Sequence, residues 1–469
     1  MTHSLRTVLV VLLFAFANFL HAQEITQELG FEEFIGLVKS NHPVAIQADL
    51  ATEKGRAYLL KARGGFDPKL YGNANNKDFN NKNYFGVYQG GLKIPTWFGI
   101  TLETGYELNE GTYLNPDLNT PADGLWNAGI GITLGKGLFI DERRAELKKA
   151  KIYRNSTEAQ RIIILNDLLY ESSAVYWEWF KSFHEMEIYR NAYSNAITRF
   201  IGIKQEAVMG NKPMIDTLEY HIVVQNRQIS LQEATLNFQN NTELLQVFLW
   251  QEGIVPLELS KEVSPPKLTS DLVIPADDSL FSISDSLIAT HPDLVNYLYK
   301  IESKKIDLRL SKEGLKPTVN LKYNALAENT FNSTFETYNV NNYKWGAEVS
   351  FPLFIRKERG QVKLDKLEIR DMQAGFAEKN QQVKYKVNAA YNTSGTSFSQ
   401  ANLFFNNQLN YEKLLEAELR LFELGESSIF MINTREKNYI YSQIDFAKSI
   451  ATNQKAHAKL RHTLGVLAQ

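Results

Sequence analysis

The apolar positions of this chain follow two different periods. In the segment YKWGAEVSF, Tyr343, Trp345, Ala347, Val349 and Phe351 fall on one side of an extended backbone. Lys344, Gly346, Glu348 and Ser350 fall on the other, the period of two that marks a strand with one apolar and one polar face. Val319, Leu321, Tyr323 and Ala325 alternate likewise with Asn320, Lys322 and Asn324, and the polar stretch between the two runs predicts a hairpin. Earlier in the chain, Trp126, Ala128, Ile130, Ile132 and Leu134 alternate with small and polar residues, as do Ile100, Leu102, Thr104, Tyr106 and Leu108. Four strands are expected, two in each half. The stretch from Tyr84 to Leu108 has room for either one more hairpin or an external loop.

The second period is helical and belongs to long intervals without proline. All 13 prolines lie before residue 122, at Pro213, between Pro256 and Pro317, or at Pro352. A proline in a helix interior costs about 3 kcal/mol, so proline-free intervals are where long helices can form. Asp141 to Val208 spans 68 residues, about 100 Å as a single helix. Gly210 and Gly425 each end such an interval and fit the left-handed residue that closes a helix. Returning helices are expected to follow, and Ile432, Tyr439 and Phe446 recur every seven residues in the second of them.

Both periods are written twice. NHPVAIQ at Asn41 recurs as THPDLVN at Thr290, and Pro68 matches Pro317, both at an offset of 249. Further on, Leu138-Phe139-Ile140 matches Leu353-Phe354-Ile355, and Gly210 matches Gly425, at an offset of 215. Four anchors in order on two constant offsets indicate a tandem duplication whose first copy carries 34 extra residues among its strands. The expected layout is a first repeat over 23–250 (helices 31–64 and 141–250, strands 66–139). An irregular linker follows over 251–281, then a second repeat over 282–469 (helices 282–314 and 357–466, strands 316–354). Phe139, Pro352 and Phe354 mark the strand-to-helix boundary in GLFIDERR and PLFIRKER. His42 and His291 precede prolines at matching repeat positions, which predicts a helix start or kink rather than a ligand.

Composition narrows the setting. Residues 1–22 have a basic start at Arg6 and an apolar run from Val8 to Leu20, and they read as a cleaved signal peptide. No later run approaches the roughly 20 apolar residues of a spanning helix, so any membrane crossing must be made by strands. Two-faced strands with aromatics near their ends are the pattern of membrane barrels. Four strands cannot close one, so several chains must share it, and three copies would give twelve strands. The net charge of −2 speaks against nucleic-acid binding. The absence of cysteine excludes disulfides, thiolate chemistry and a lipidated cysteine.

The signal peptide, the duplicated helix–hairpin–helix unit, PLF leading into a long helix and LGESS opening the returning one together resemble the TolC-like outer-membrane efflux factors. The fold that this implies is mainly α with membrane β: a long antiparallel helical tunnel plus a β-barrel completed by trimerisation. The resemblance further implies a homotrimer in the outer membrane of a Gram-negative bacterium, its tunnel in the periplasm. Its partners would be outer-membrane lipid, a periplasmic adaptor protein and an inner-membrane transporter, with no cofactor and no enzymatic activity. Acidic residues ring the periplasmic aperture in that family, where the returning helices begin. Asp216 occupies the first-copy position, with Glu219 one turn on. In the second copy Met431 and Thr434 stand where two aspartates are usual, and Glu423 and Glu426 lie one turn away.

Other motifs are silent. No histidine has a metal-ligand spacing, GGLKIPTWFG lacks the features of a phosphate loop, and no acid/base pair or nucleophile triad stands out. Tyr176, Trp177, Trp179 and Phe180 predict inter-helix packing. The competing reading is a secreted coiled-coil adhesin or a structural periplasmic protein. It would require long regular heptads, which are absent, and would leave the duplicated hairpins unexplained.

Overall fold

The computed structural model describes residues 28–260, 262–328 and 339–468, so the expected signal peptide lies outside the described residues. In chain order the main elements are helices α1 (Phe31–Asn41) and α2 (Pro43–Arg63), then strands β1 (Lys69–Phe79), β2 (Lys82–Pro95), β3 (Ile100–Glu110) and β4 (Leu125–Gly135). Helices α3 (Glu142–Val208) and α4 (Met214–Gln246) follow, then the short strands β5 (Trp250–Gln251) and β6 (Val255–Pro256). Next come helices α5 (Asp278–Ser282), α6 (Ser284–Ala289) and α7 (Pro292–Glu313), and strands β7 (Thr318–Ala327) and β8 (Tyr343–Ser350). Helices α8 (Arg356–Glu423) and α9 (Ile429–Leu464) come last.

The long helices are where the proline-free intervals predict them: α3 has 67 residues and α8 has 68. The helix expected over 31–64 breaks once, at His42. Its backbone is extended because the following Pro43 disfavours a helical residue before it. The imidazole then caps the new helix, its Nδ1 accepting the Val44 N–H at 3.1 Å. At the equivalent point of the second repeat, His291 Nδ1 accepts the Asp293 N–H at 3.2 Å, and α7 starts at Pro292. The two histidines therefore do the same structural work in both copies. For the same reason, the helix expected over 282–314 is interrupted before Pro292, where α7 begins; a separate break at Ile283 divides α5 from α6.

Six strands form one antiparallel sheet in the order β1-β2-β3-β4-β7-β8. The repeat offsets equate β1 with β7 and β4 with β8. The extra residues of the first copy are therefore a complete hairpin, β2–β3, inserted into the sheet between β1 and β4. Four strands were expected, matching β3, β4, β7 and β8; among the described residues this sheet has six, β1 and β2 being the additions, so the open choice between hairpin and loop falls to the hairpin. Asn80 and Asn81, both at positive φ, make the tight β1–β2 turn.

The chain divides into two compact units, and each draws on both repeats. One, Asp49–Arg161 with Thr290–Gln381, holds the whole sheet. In it Asp365, nearly fully buried on α8, accepts from Ser311 and Lys304 of α7, the latter at 3.0 Å. The corresponding contact of the first repeat is apolar, with Ala62, Leu59 and Ala150 packed together. The other unit holds the helix tips and the segment between the repeats. Its core gathers Phe34, Tyr176, Trp177, Trp179, Phe180 and Phe446, as the aromatic run predicts. Tyr176 donates to the Leu29 carbonyl at 2.8 Å, and Trp179 Nε1 donates to Thr242 Oγ1 at 3.1 Å. The segment between repeats is irregular but docked. Asn453 of α9 bonds both backbone groups of Ile274, at 2.8 and 2.9 Å, and Gln454 donates to the Leu272 carbonyl.

Candidate functional site: a two-faced sheet and the helix tips

Strand register sorts the sheet into two chemically distinct faces. Cross-strand partners share a face, and the chain Leu70–Leu92–Thr104–Ala128–Ala325–Tyr343 runs across all six strands on one of them. So does Ile94–Leu102–Ile130–Tyr323–Trp345, from β2 to β8. The opposite face carries Lys93, Glu103, Gly129, Asn324 and Lys344, with Lys93 paired to Glu103 at 2.6 Å. A sheet over a protein core would bury its apolar face. Here Leu102, Ile130, Tyr323 and Trp345 all remain exposed in the single chain, which is the arrangement of strands that face lipid.

Aromatic side chains bound the apolar band. Tyr88, Tyr106 and Trp126 lie toward one end, and the Tyr106 and Trp126 rings stand 5.0 Å apart. At the end where strands meet helices stand Trp97, Phe98, Phe139 and Phe354, all exposed. From Trp126 to Leu134 is about 26 Å along the strand, comparable with the apolar band of an outer-membrane barrel. Basic groups cover two of the boundary rings: Lys316 lies 4.8 Å from the Phe139 centroid and Arg356 lies 5.3 Å from that of Phe354. Pro352 and Leu353 are exposed beside them. Arg144 turns back to bond the carbonyls of Gly137 and Leu138 and the Asp141 carboxylate, so it closes the β4–α3 corner. Both outer edges of the sheet, β1 and β8, are unpaired among the described residues and exposed along their length.

The helix tips form the second candidate region. Gly210 and Gly425, at φ +81° and +80°, close α3 and α8 in the same way. Each glycine N–H bonds the carbonyl three residues back, Ala207 or Phe422, and the next N–H bonds the one five back from it, Glu206 or Leu421. Ser428 caps α9 by accepting the Met431 N–H. Asp216 is half-buried in the first turn of α4, whereas Glu219, Glu423 and Glu426 are exposed. The four carboxylates make no ion pair among the described residues.

The fixed charges at the tips lie elsewhere. Arg199 of α3 donates to Glu436 of α9 at 2.8 Å and to the Tyr220 hydroxyl of α4 at 3.1 Å, linking three helices beside the cluster of Ala196, Ile203, Tyr220 and Ile429. Burial, then the Glu436 charge, pushes the Tyr220 phenol above its usual range. A second pair joins Arg435 to Glu418 at 3.3 Å. Val208, Met209, Met214, Ile215, Leu424 and Phe430 are all exposed around the turns. Sequence reasoning missed Arg199 and Glu436, because their partnership spans 237 residues and no local spacing signals it. Among the described residues no group of His, Asp and Glu is arranged to hold a metal ion, and no helix is long and apolar enough to cross a membrane.

No protein-family model matches the chain, and no curated protein matches its sequence. Solved structures do match it in fold. The open state of the Neisseria gonorrhoeae MtrE outer membrane channel superposes with a TM-score of 0.65 at 12% identity, covering 93% of this chain and 89% of that one. The Campylobacter jejuni CmeC outer membrane channel superposes at 0.63 and 12% identity, covering 93% and 85%. The outer membrane protein VceC of Vibrio cholerae gives 0.63 and 12%, covering 92% and 95%. The fold is thus that of the TolC-like outer-membrane channels, as the resemblance implied.

Proposed function

We propose that this chain is one protomer of a trimeric outer-membrane exit duct. Its sheets close a barrel in the outer membrane, and its helices continue the wall as a tunnel through the periplasm of a Gram-negative cell. The observation that carries this reading is the apolar face that crosses all six strands and stays exposed, backed by a polar face and bounded by unpaired edges. Six strands per chain make eighteen in a trimer, where the family resemblance implied twelve. Diameter grows roughly linearly with strand number, so the barrel would be about 1.5-fold wider than a twelve-stranded one.

The duct itself is passive. A periplasmic adaptor and an inner-membrane transporter would supply selection and energy, and the exposed apolar residues around Gly210 and Gly425 support a docking role for the tips. Small toxic molecules and unfolded proteins are the cargo classes that suit such a pathway. Asp216, Glu219, Glu423 and Glu426 are the candidate aperture carboxylates. Carboxylates repeated by symmetry around a narrow pore attract cations.

Planar-bilayer recording of the detergent-purified protein tests the proposal. Discrete, long-lived conductance steps are expected, with a cation preference that Asp216→Asn reduces. Purified protein that inserts but never conducts would overturn the duct reading.

A further inference from the structure

The open edges of the sheet carry their own docking instructions. In the tandem repeat, β4 matches β8 at an offset of 215 and β1 matches β7 at 249. Within one chain β4 pairs antiparallel with β7, from Gly135 opposite Thr318 to Trp126 opposite Ala327. That ladder joins the last strand of the first repeat to the first strand of the second. The equivalent junction after the second repeat would join β8 to the β1 of another copy.

Resting on the duct reading, we infer that β8 of one chain pairs with β1 of the next in the register of the internal β4–β7 ladder. Transposed residue by residue, Ser350 lies opposite Lys69, Val349 opposite Leu70 and Glu348 opposite Tyr71. Ala347 then meets Gly72, Gly346 meets Asn73 and Trp345 meets Ala74. Three independent features agree. Strand direction is one: six strands alternate in sense, so β8 and the next β1 are antiparallel without any crossover. Face is another: the register traced through the sheet puts Leu70, Gly72 and Ala74 on the same side as Val349, Ala347 and Trp345. A slip of one residue would instead oppose apolar to polar faces along the whole seam. Side-chain fit is the third. The large, exposed Trp345 meets Ala74 with Gly72 on the diagonal, and Glu348 stands diagonal to Lys69, within reach of an opposite charge.

The occupant of both edges is therefore a second copy of this chain, and the internal repeat specifies how it sits. The wild-type sequence contains no cysteine, so engineered pairs report without background. The full-length double variants Leu70→Cys with Val349→Cys, and Tyr71→Cys with Glu348→Cys, would be oxidised in outer-membrane vesicles and run under denaturing, non-reducing conditions. Successive antiparallel pairs alternate between two spacings, so one of these two has its Cβ atoms closer. At least one is expected to yield covalent dimers and higher rings. Gly72→Cys with Val349→Cys, displaced by two residues or about 7 Å, is expected to give no more than about a tenth as much. Leu134→Cys with Val319→Cys, the template pair, closes within one chain and confirms a folded sheet and an active oxidant. Preferential linking of the displaced pair would overturn the register while leaving the shared barrel intact. No linking in particles that keep their oligomeric mass would mean that these edges are not the seam. Loss of the oligomer in the parent protein would instead count against the duct reading itself.

Discussion

Arg199 and Glu436 are 237 positions apart and meet at 2.8 Å, the guanidinium also holding the Tyr220 hydroxyl, so that one side chain ties α3 to α4 and to α9. Glu436 is only 6% exposed, and removing its partner leaves a buried carboxylate unpaired. Such a loss typically costs about 3–5 kcal/mol. Arg199→Met is expected to raise hydrogen exchange around Ala196–Val224 and Ile429–Ile440 while leaving the strands protected. Glu436→Gln with Arg199→Met should be milder than the single arginine variant, since no charge is stranded. Unchanged exchange in the single variant would show that the pair does not hold the tips.

The two faces of the sheet should respond oppositely to charge. Ile130→Arg places a cation in the middle of the apolar band, where such a change costs about 2–4 kcal/mol in a membrane barrel. Gly131→Arg points to the polar face beside Thr101 and Lys322, and is expected to fold nearly as well as the parent. The fraction of heat-modifiable oligomer in outer-membrane extracts reads the difference.

Acid should weaken the helical unit. His184 is buried against Phe180 and bonds the Pro266 carbonyl at 2.9 Å, and burial pulls its pKa down to about 4. The folded state thus favours the neutral imidazole, whereas the unfolded chain takes up a proton near pH 6.5. The stability it contributes is complete above that value and is lost as pH falls from about 6.5 toward 4, on the order of 3 kcal/mol in all. His42 and His457, both lowered by burial, act in the same direction. Melting of the detergent-solubilised protein should shift down between pH 7.5 and 4.5, and His184→Phe should flatten that dependence.

Two kinds of glycine can be told apart. Gly210 and Gly425 sit at positive φ with open space where a Cβ would go, so alanine there adds only backbone strain, about 1–2 kcal/mol. Gly129 has an ordinary backbone, but an added Cβ would run into the Tyr323 carbonyl and the Asn324 side chain of β7. Gly129→Ala is expected to lower the yield of folded barrel far more than either tip variant does.

Much of this architecture was legible in the sequence because it is written in local periods. Tyr343 to Phe351 alternates at a period that only a strand satisfies, and the intervals that became α3 and α8 lack the one residue that would break them. His42-Pro43 and His291-Pro292 showed the duplication, and their shared capping role follows from short-range geometry. Strand β3 was legible in its alternation, but its hairpin partner β2 stayed open between strand and loop, and β1 was not legible as a strand. Strand β2, Lys82–Pro95, has glycines at 86, 90 and 91 that blur the alternation, so a loop fitted the pattern as well. The Arg199–Glu436–Tyr220 link was invisible, because it depends on three helices meeting. Among the acidic candidates, Asp216, Glu219, Glu423 and Glu426 all lie at the tips, yet the ion pairs formed there use Glu418 and Glu436 instead.

The most direct test of the account is the mass of the particle extracted from the outer-membrane fraction in mild detergent, corrected for bound detergent. A shared barrel predicts three mature chains per particle, in a species that leaves the membrane only with detergent. A stable monomer, or recovery as soluble protein without detergent, would leave the β1 and β8 edges without partners and contradict it.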